Sequence, residues 1–408
     1  MAVLHFDRPH PRRIAPSELP ASQSSFHFSL TYGGPFHRLT VALGLVRDEA
    51  ADVVRLSLAA LAVCWLPLAL LGTVDAAWAG RRAELVRDLT VEARLWVALP
   101  LLFLASRWVH VTTRDCIDQF LNDGLAGEDS PAAKRLFARV MQLRDAWLPE
   151  LVLLALALGI GFAALLRTGR PDALLKRAAI PTAESIAWAW FALVALPFQL
   201  FLTLRAVWRW VLWTVMLVRL SRLRLRPDAT HPDGRGGLER FSEPSVAFAP
   251  VLSGIAAVTA AQWARELLSR QGTVEPLKPY LALFVIAALI VTLAPLTAFS
   301  WHLRGARRRA LADYTGLNVD YARAFRQRWV GPHGQRPELL GTADIQSMAD
   351  LANVFATVKR TRYVPVDLRR ALGIVAITLA PMLPLALTQM SLIELTSRVL
   401  KLLAGGRD

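Results

Sequence analysis

Apolar and polar positions alternate along this chain on a scale of about twenty residues, not two or four. Apolar runs cover 56–74, 95–111, 147–166, 186–204, 246–264, 280–300 and 371–390, with arginine-rich stretches between them. A helix rises about 1.5 Å per residue and a hydrocarbon core is about 30 Å thick, so such runs predict membrane-crossing helices. The second run is the weakest, because only 95–106 is free of charge before Arg107, and a short or re-entrant segment is the alternative there. The fifth, VAFAPVLSGIAAVTAAQWA, is rich in small residues and weakly apolar, which predicts a helix inside the bundle. Small residues recur every four positions at Ser253, Ala257 and Ala261, and again at Ala155, Gly159 and Ala163, a spacing that lets helix backbones approach closely. The fold class that follows is all-α, a polytopic transmembrane helical bundle of about seven spans (range six to eight) with amphipathic helices on the cytoplasmic side.

Composition agrees. Of 408 residues, 54% are hydrophobic and 19% charged, which argues against a secreted disulfide scaffold, a disordered chain or an ordinary soluble enzyme. The 47 Lys and Arg outnumber the 32 Asp and Glu, for a net charge of +15. These basic residues sit between apolar runs, so membrane orientation and anionic lipids of the cytoplasmic leaflet are the expected reasons for them, and nucleic acid is not an expected partner. The N-terminal segment and the stretches after spans two, four and six carry 33 of the 47, and the opposite side carries 14. The positive-inside rule then places the N-terminus in the cytoplasm and, with seven spans, the C-terminus outside. Trp78, Trp96, Trp188 and Trp190 flank the outer ends in this frame, and Trp108, Trp147 and Trp301 the inner ends. Only five of the 47 are Lys, a bias that suits a GC-rich bacterium, so a bacterial inner membrane is the expected location. No cleavable signal peptide is expected in the first fifty residues, and Cys64 and Cys116 form neither a disulfide framework nor a metal-spaced pair.

The organisation expected is a flexible cytoplasmic segment at 1–50, including a loose tail at 10–25, then spans one to six within 51–300. A cytoplasmic helical subdomain at 301–370 and the last span with an amphipathic tail at 371–408 complete it, the tail helix falling at 391–403. Within the subdomain, Leu311, Tyr314, Tyr321, Phe325 and Trp329 recur at mostly helical intervals. A second helix at 342–358 aligns Ile345, Met348, Leu351, Phe355 and Val358, and GPHGQRP separates the two. The fourth span runs on as RAVWRWVLWTVMLVRLSRLRLRP, and a helix from 185 to 222 would be about 57 Å long, too long for the hydrocarbon core. Arg205 and Arg209 are therefore expected to snorkel toward lipid headgroups while 207–220 lies along the interface or projects into the cytoplasm. The alternative buries both among helices, where they would bind an anion or a headgroup.

The most distinctive local motif is HPDGRGGL, beginning at His231. Gly234, Gly236 and Gly237 permit a nest of inward-pointing N–H groups that holds an anion, Asp233 is suited to a cation, and His231 can titrate or ligate a metal. The simpler reading is a tight turn, with Pro232 fixing one dihedral and Asp233 bonding nearby backbone. In DIQSMAD, Asp344, Gln346, Ser347 and Asp350 offer further polar groups; Asp344 either caps a helix or joins His231 and Asp233 in a shared polar site. No zinc spacing, nucleophile elbow or metalloprotease helix occurs, no cofactor is expected, and whether a metal binds is open.

PFQLFLTLRAVWRWVLW, SRLRLRPDATHPDGRGGL, ADYTGLNVDYARAFRQRWV and LLGTADIQSMADLANVF together resemble an uncharacterised family of bacterial multi-pass membrane proteins, over most of residues 50–395. The motif positions are His231, Pro232, Asp233, Gly236, Gly237, Asp344, Gln346 and Asp350, and the resemblance implies architecture without an activity. An accessory or interaction role with a protein partner is the functional expectation. A transporter or channel for a small solute is the alternative, suggested by Pro67, Pro100, Pro197, Pro250, Pro295, Pro381 and Pro384. Against it, the apolar cores of the spans hold no Asp, Glu or Lys, and Glu150 sits at the entrance to span three. A membrane enzyme or sensor with a cytoplasmic-face polar site is the third possibility.

Overall fold

The computed structural model describes residues 27–47, 50–51, 53–79, 88–168, 183–270, 275–330 and 343–387. Seven of its helices are long and apolar enough to cross a membrane: Val53–Val74, Leu89–Asn122, Trp147–Leu166, Ile186–Leu220, Glu239–Leu268, Glu275–Val330 and Leu368–Leu385. The chain is an all-α, multi-pass bundle. Among the described residues, β-structure is confined to a two-residue antiparallel pairing of Val46–Arg47 with Ala50–Ala51. The expected tail at 10–25, the GPHGQRP linker, the last residues of the seventh run and the helix at 391–403 lie outside the described residues.

The second span is a continuous helical path of 34 residues, not a re-entrant segment. Asp88 starts it by accepting the Thr90 N–H at 2.7 Å, which satisfies one of the free donors of a helix start. Both this span and the fourth contain a π-helical turn, Ala93–Ala98 and Phe191–Ala195. Each turn includes the residue four before a proline, Pro100 or Pro197. Proline has no N–H to donate and its ring crowds that carbonyl, so the widened turn lets the helix continue past it.

The fifth span is the axis of the bundle, 83% buried against 17% for the third. It packs on the π-turn and helix of span two and on span seven. Small side chains permit this, since a Cβ added at Gly254 would stand 3.5 Å from the Ala98 backbone. Ser253 and Ala257 are buried as the stripe predicts. The stripe in the third span is on the other side: Ala155, Gly159 and Ala163 are exposed. Ala157 and Gly161 form the packing face instead, and a Cβ at Gly161 would fall 2.2 Å from the Ala192 carbonyl oxygen.

Two cores stack along the bundle. One joins spans one to four, with Leu95, Leu99, Leu102, Phe191 and Phe201 among its members. The second lies toward the end carrying most of the arginines, the basic end. There Ile117 and Phe120 of span two and Trp213, Met216 and Leu220 of span four meet Phe137 and Phe241. The extension 207–220 is packed inside the fold at this end, where its large apolar side chains fill a core of their own. That core also takes in Phe28 and Leu30, each at most 1% exposed, so residues 27–47 belong to the folded body and not to a flexible segment. They continue into α1 (Pro35–Ala42), where Pro35 occupies the first helical position at no cost in hydrogen bonds. Helix α2 (Ser130–Asp145) closes the same core.

Beyond the sixth span's apolar part, a 3₁₀ turn containing Pro295 leads into α3 (Ser300–Phe325). Helix α4 (Asp344–Arg360) runs back along it. The pairing is antiparallel, with Arg307 donating to the Lys359 carbonyl at one end and Tyr321 to the Asp344 carbonyl at the other. Together α3 and α4 form a two-helix arm.

Candidate functional site

The loop around HPDGRGGL is closed by its own aspartate. Asp233 Oδ1 accepts the Arg235 N–H at 2.7 Å, and Oδ2 accepts the Gly237 and Glu239 N–H groups at 3.0 and 3.3 Å. Gly234, Gly236 and Gly237 all have positive φ, which turns these donors inward. The nest is thus present, and the anion in it is the Asp233 side chain. His231 completes it, Nδ1 lying 2.9 Å from Asp233 Oδ1. A Cβ at Gly236 would come within 2.8 Å of Pro227 Cβ, so glycine there serves close packing as well as φ.

Arg235, 6% exposed, ties this loop to the start of the seventh span. It pairs with Glu239 at 2.8 Å and Asp367 at 3.4 Å and donates to the Val366 carbonyl, while Arg370 reaches Glu239 at 3.0 Å. The Arg362 N–H donates to the Gly234 carbonyl and Thr361 to that of Ala229.

The DIQSMAD residues are elsewhere. The C-terminal end of α4 meets the loop, whereas Asp344 begins the helix, about 25 Å away at 1.5 Å per residue. Asp344 does not cap the helix with its side chain. It accepts from Trp329 Nε1 at 3.1 Å and pairs with Arg328 at 3.2 Å, fastening the tip of the arm. Gln346 donates to Asp350 at 2.9 Å on an exposed face. His231 and Asp233 therefore share no site with Asp344, Gln346 or Asp350, and among the described residues no group of three His, Cys, Asp or Glu is placed to hold a metal.

Arg205 and Arg209 are the residues the structure places most unexpectedly. They do not snorkel: Arg205 is 7% and Arg209 1% exposed. Both donate to one oxygen, Glu150 Oε1, at 3.0 Å each. Glu150 Oε2 accepts the Phe36 N–H at 2.8 Å. Further guanidinium donors go to backbone carbonyls, Arg205 to Thr31 and Gly33, Arg209 to Gly33 and Arg144. Arg205 also lies over the Phe36 ring at 5.2 Å. The core is within reach of both side chains because residues 29–36 fold in and supply carbonyls, an alternative to the lipid interface that the run of apolar residues in span four does not reveal. Gly34, at φ 86°, lets the segment turn there, and a Cβ on it would stand 2.6 Å from Glu150 Oε1.

A narrow chamber of about 50 Å³ adjoins these arginines, lined also by Tyr32, His37, Thr40 and Ser106. It shares Tyr32, His37 and Val46 with a wider vestibule of about 330 Å³, which His27, Ser29, His110, Arg114 and Arg144 border. Tyr32 is stacked between His37 and His110, with centroids 5.2 and 4.0 Å away. Burial, and then the nearby Arg205, Arg144 and Arg209 charges, hold the His37 imidazole below its ordinary pKa. Glu150 was visible in the sequence as an acid one turn inside an apolar run, the signal that could have paired it with the arginines. Tyr32 and His37 lie in the segment read as flexible and carried no such signal. Comparison with protein families, curated proteins and solved structures finds no match to the chain.

Proposed function

We propose that this is an accessory protein of a bacterial inner membrane, with its basic end and N-terminus in the cytoplasm, which holds a partner protein through the α3–α4 arm. The observation that carries the reading is apolar exposure on the arm. Helix α3 has its buried residues, His302, Leu303 and Ala306, in its first two turns. Farther out, Leu317 and Ile345 are 52% and 53% exposed, and Val319, Val330 and Met348 are exposed beside them. Large apolar side chains gathered on a water-facing projection mark interaction surfaces. Residues 313–330 and 344–350 carry three Arg and four Asp, so the charges around these side chains nearly cancel and the partner surface is chiefly apolar. Nearer the bundle, Arg304 and Arg307 lie over Tyr363 at 5.5 and 5.0 Å, a basic and aromatic surface suited to anionic lipid headgroups of the cytoplasmic leaflet. Photo-crosslinkers placed at Leu317 and Ile345 in native membranes test the reading. A discrete protein adduct is expected at both positions, and the adduct at Ile345 should be lost with Leu317→Asp; lipid adducts alone would overturn the reading.

A second reading, transport of a small solute, is supported by a polar chain across the outer half of the bundle. Arg94 donates to Gln199 at 2.9 Å and Gln199 to Thr203 at 3.1 Å, beside the π-turns of spans two and four. Solute flux into liposomes containing the purified protein distinguishes it, since an accessory protein produces none.

A further inference from the structure

We propose that the chamber beside Arg205 and Arg209 binds one small monovalent inorganic anion of the chloride class. The chamber's charge, burial and size support this independently of the arm. First, neither the chamber nor its vestibule has a carboxylate in its lining, whereas four arginines and three histidines contribute to them. Second, the local charges do not balance: Arg144, Arg205 and Arg209 face Asp145 and Glu150, with Arg144 and Asp145 paired to each other at 2.6 Å. Two nearly fully buried guanidinium groups therefore share one carboxylate oxygen. A buried cation without its own counterion is costly, and a diffusible anion is the direct way to supply one.

Third, Arg209 lines the chamber and is 1% exposed, yet its Nε has no hydrogen-bond partner. Arg235 Nε also lacks one, but that guanidinium meets two carboxylates, Glu239 and Asp367, and the arginines it shares them with, Arg370 and Arg362, are partly exposed. Fourth, the space has the right size and access. About 50 Å³ admits a monatomic ion and excludes a phospholipid headgroup, and the basic vestibule draws anions toward it. Leu56, Leu102, Phe103, Leu202 and Val251 line the apolar part of the chamber, which is a setting for retention in a desolvated site.

The test is equilibrium binding of radioactive chloride to the detergent-purified full chain in gluconate buffer. Saturable uptake of about one ion per chain, displaced by bromide, is expected, since the proposal is a single desolvated site. Arg209→Met should weaken it at least about tenfold, a difference of about 1.4 kcal/mol, and Arg235→Met, outside the lining of chamber and vestibule, should leave it unchanged. If Arg209→Met fails to fold, His37→Glu places a carboxylate at the half-buried junction of chamber and vestibule and should weaken binding by at least as much. Absence of saturable chloride binding by the wild-type chain, or equal binding by wild type and either chamber variant, overturns the proposal.

Discussion

Two arginine clusters stand at the basic end, and they differ in how deeply their cations are buried. Arg235 pairs with Glu239 and Asp367, whose other cations, Arg370 and Arg362, are partly exposed, and the neighbouring loop is neutralised by Asp233 against backbone N–H groups. Arg205 and Arg209 are both buried, have one oxygen of Glu150 between them and donate further to carbonyls. Both clusters anchor chain segments that are distant in sequence. Water screens the cations that share acids with Arg235, whereas the buried pair at Glu150 borders a cavity. A distinctive motif is thus no guide to a ligand: HPDGRGGL has the composition of a binding loop, and Asp233 already occupies the backbone N–H groups of Arg235, Gly237 and Glu239.

The largest effect that would separate the clusters is Glu150→Gln. It leaves two buried guanidinium groups without a carboxylate, and removing one partner of a buried ion pair costs about 3–5 kcal/mol. A strongly lowered melting temperature is expected, with chloride restoring more of it than gluconate does. Gly34→Ala should follow, because it adds a Cβ 2.6 Å from Glu150 Oε1 to left-handed strain of about 1–2 kcal/mol. Gly234→Ala carries the strain alone, with nothing within 4 Å of the added atom, so its melting temperature should lie between that of Gly34→Ala and the wild type. Asp233→Asn removes one acceptor oxygen from three backbone donors and is expected to cost about 1–3 kcal/mol, equally in chloride and gluconate.

The pH dependence gives a finer contrast. His37 has its pKa lowered in the folded state from an ordinary 6.5, so the unfolded chain binds the proton more readily. Its contribution to stability is intact above pH 6.5 and is lost as pH falls through the lowered value, and His37→Gln should flatten that part of a melting profile. The smallest effect belongs to Gln346→Ala. It removes an exposed pair one helical turn apart, worth about 0.2–0.5 kcal/mol, and should leave the melt nearly unchanged.

The spans were legible because length and hydropathy decide membrane crossing locally, and the fifth span's place at the axis followed from its small side chains. Which face of a helix packs was less legible. In the third span both Ala155–Gly159–Ala163 and Ala157–Gly161 are small and four apart, and only the approach of span four selects the second. The snorkelling expected of Arg205 and Arg209 rested on helix length alone. Their burial depends on Glu150, 55 residues before Arg205, and on carbonyls of Thr31 and Gly33 more than 170 residues before it. No local pattern encodes contacts of that range. The turn at HPDGRGGL was readable for the opposite reason, since Asp233 bonds partners two to six residues away.

The claim on which the comparison rests is the positive surplus around Glu150, and the most direct measurement is the melting temperature of Glu150→Gln with and without Arg209→Met. If two cations share one acid, removing Arg209 relieves the uncompensated charge, and the double variant should melt above Glu150→Gln alone. A double variant that melts lower, by the sum of the two single effects, would mean that Arg209 contributes packing and carbonyl bonds without charge excess, and would contradict the account.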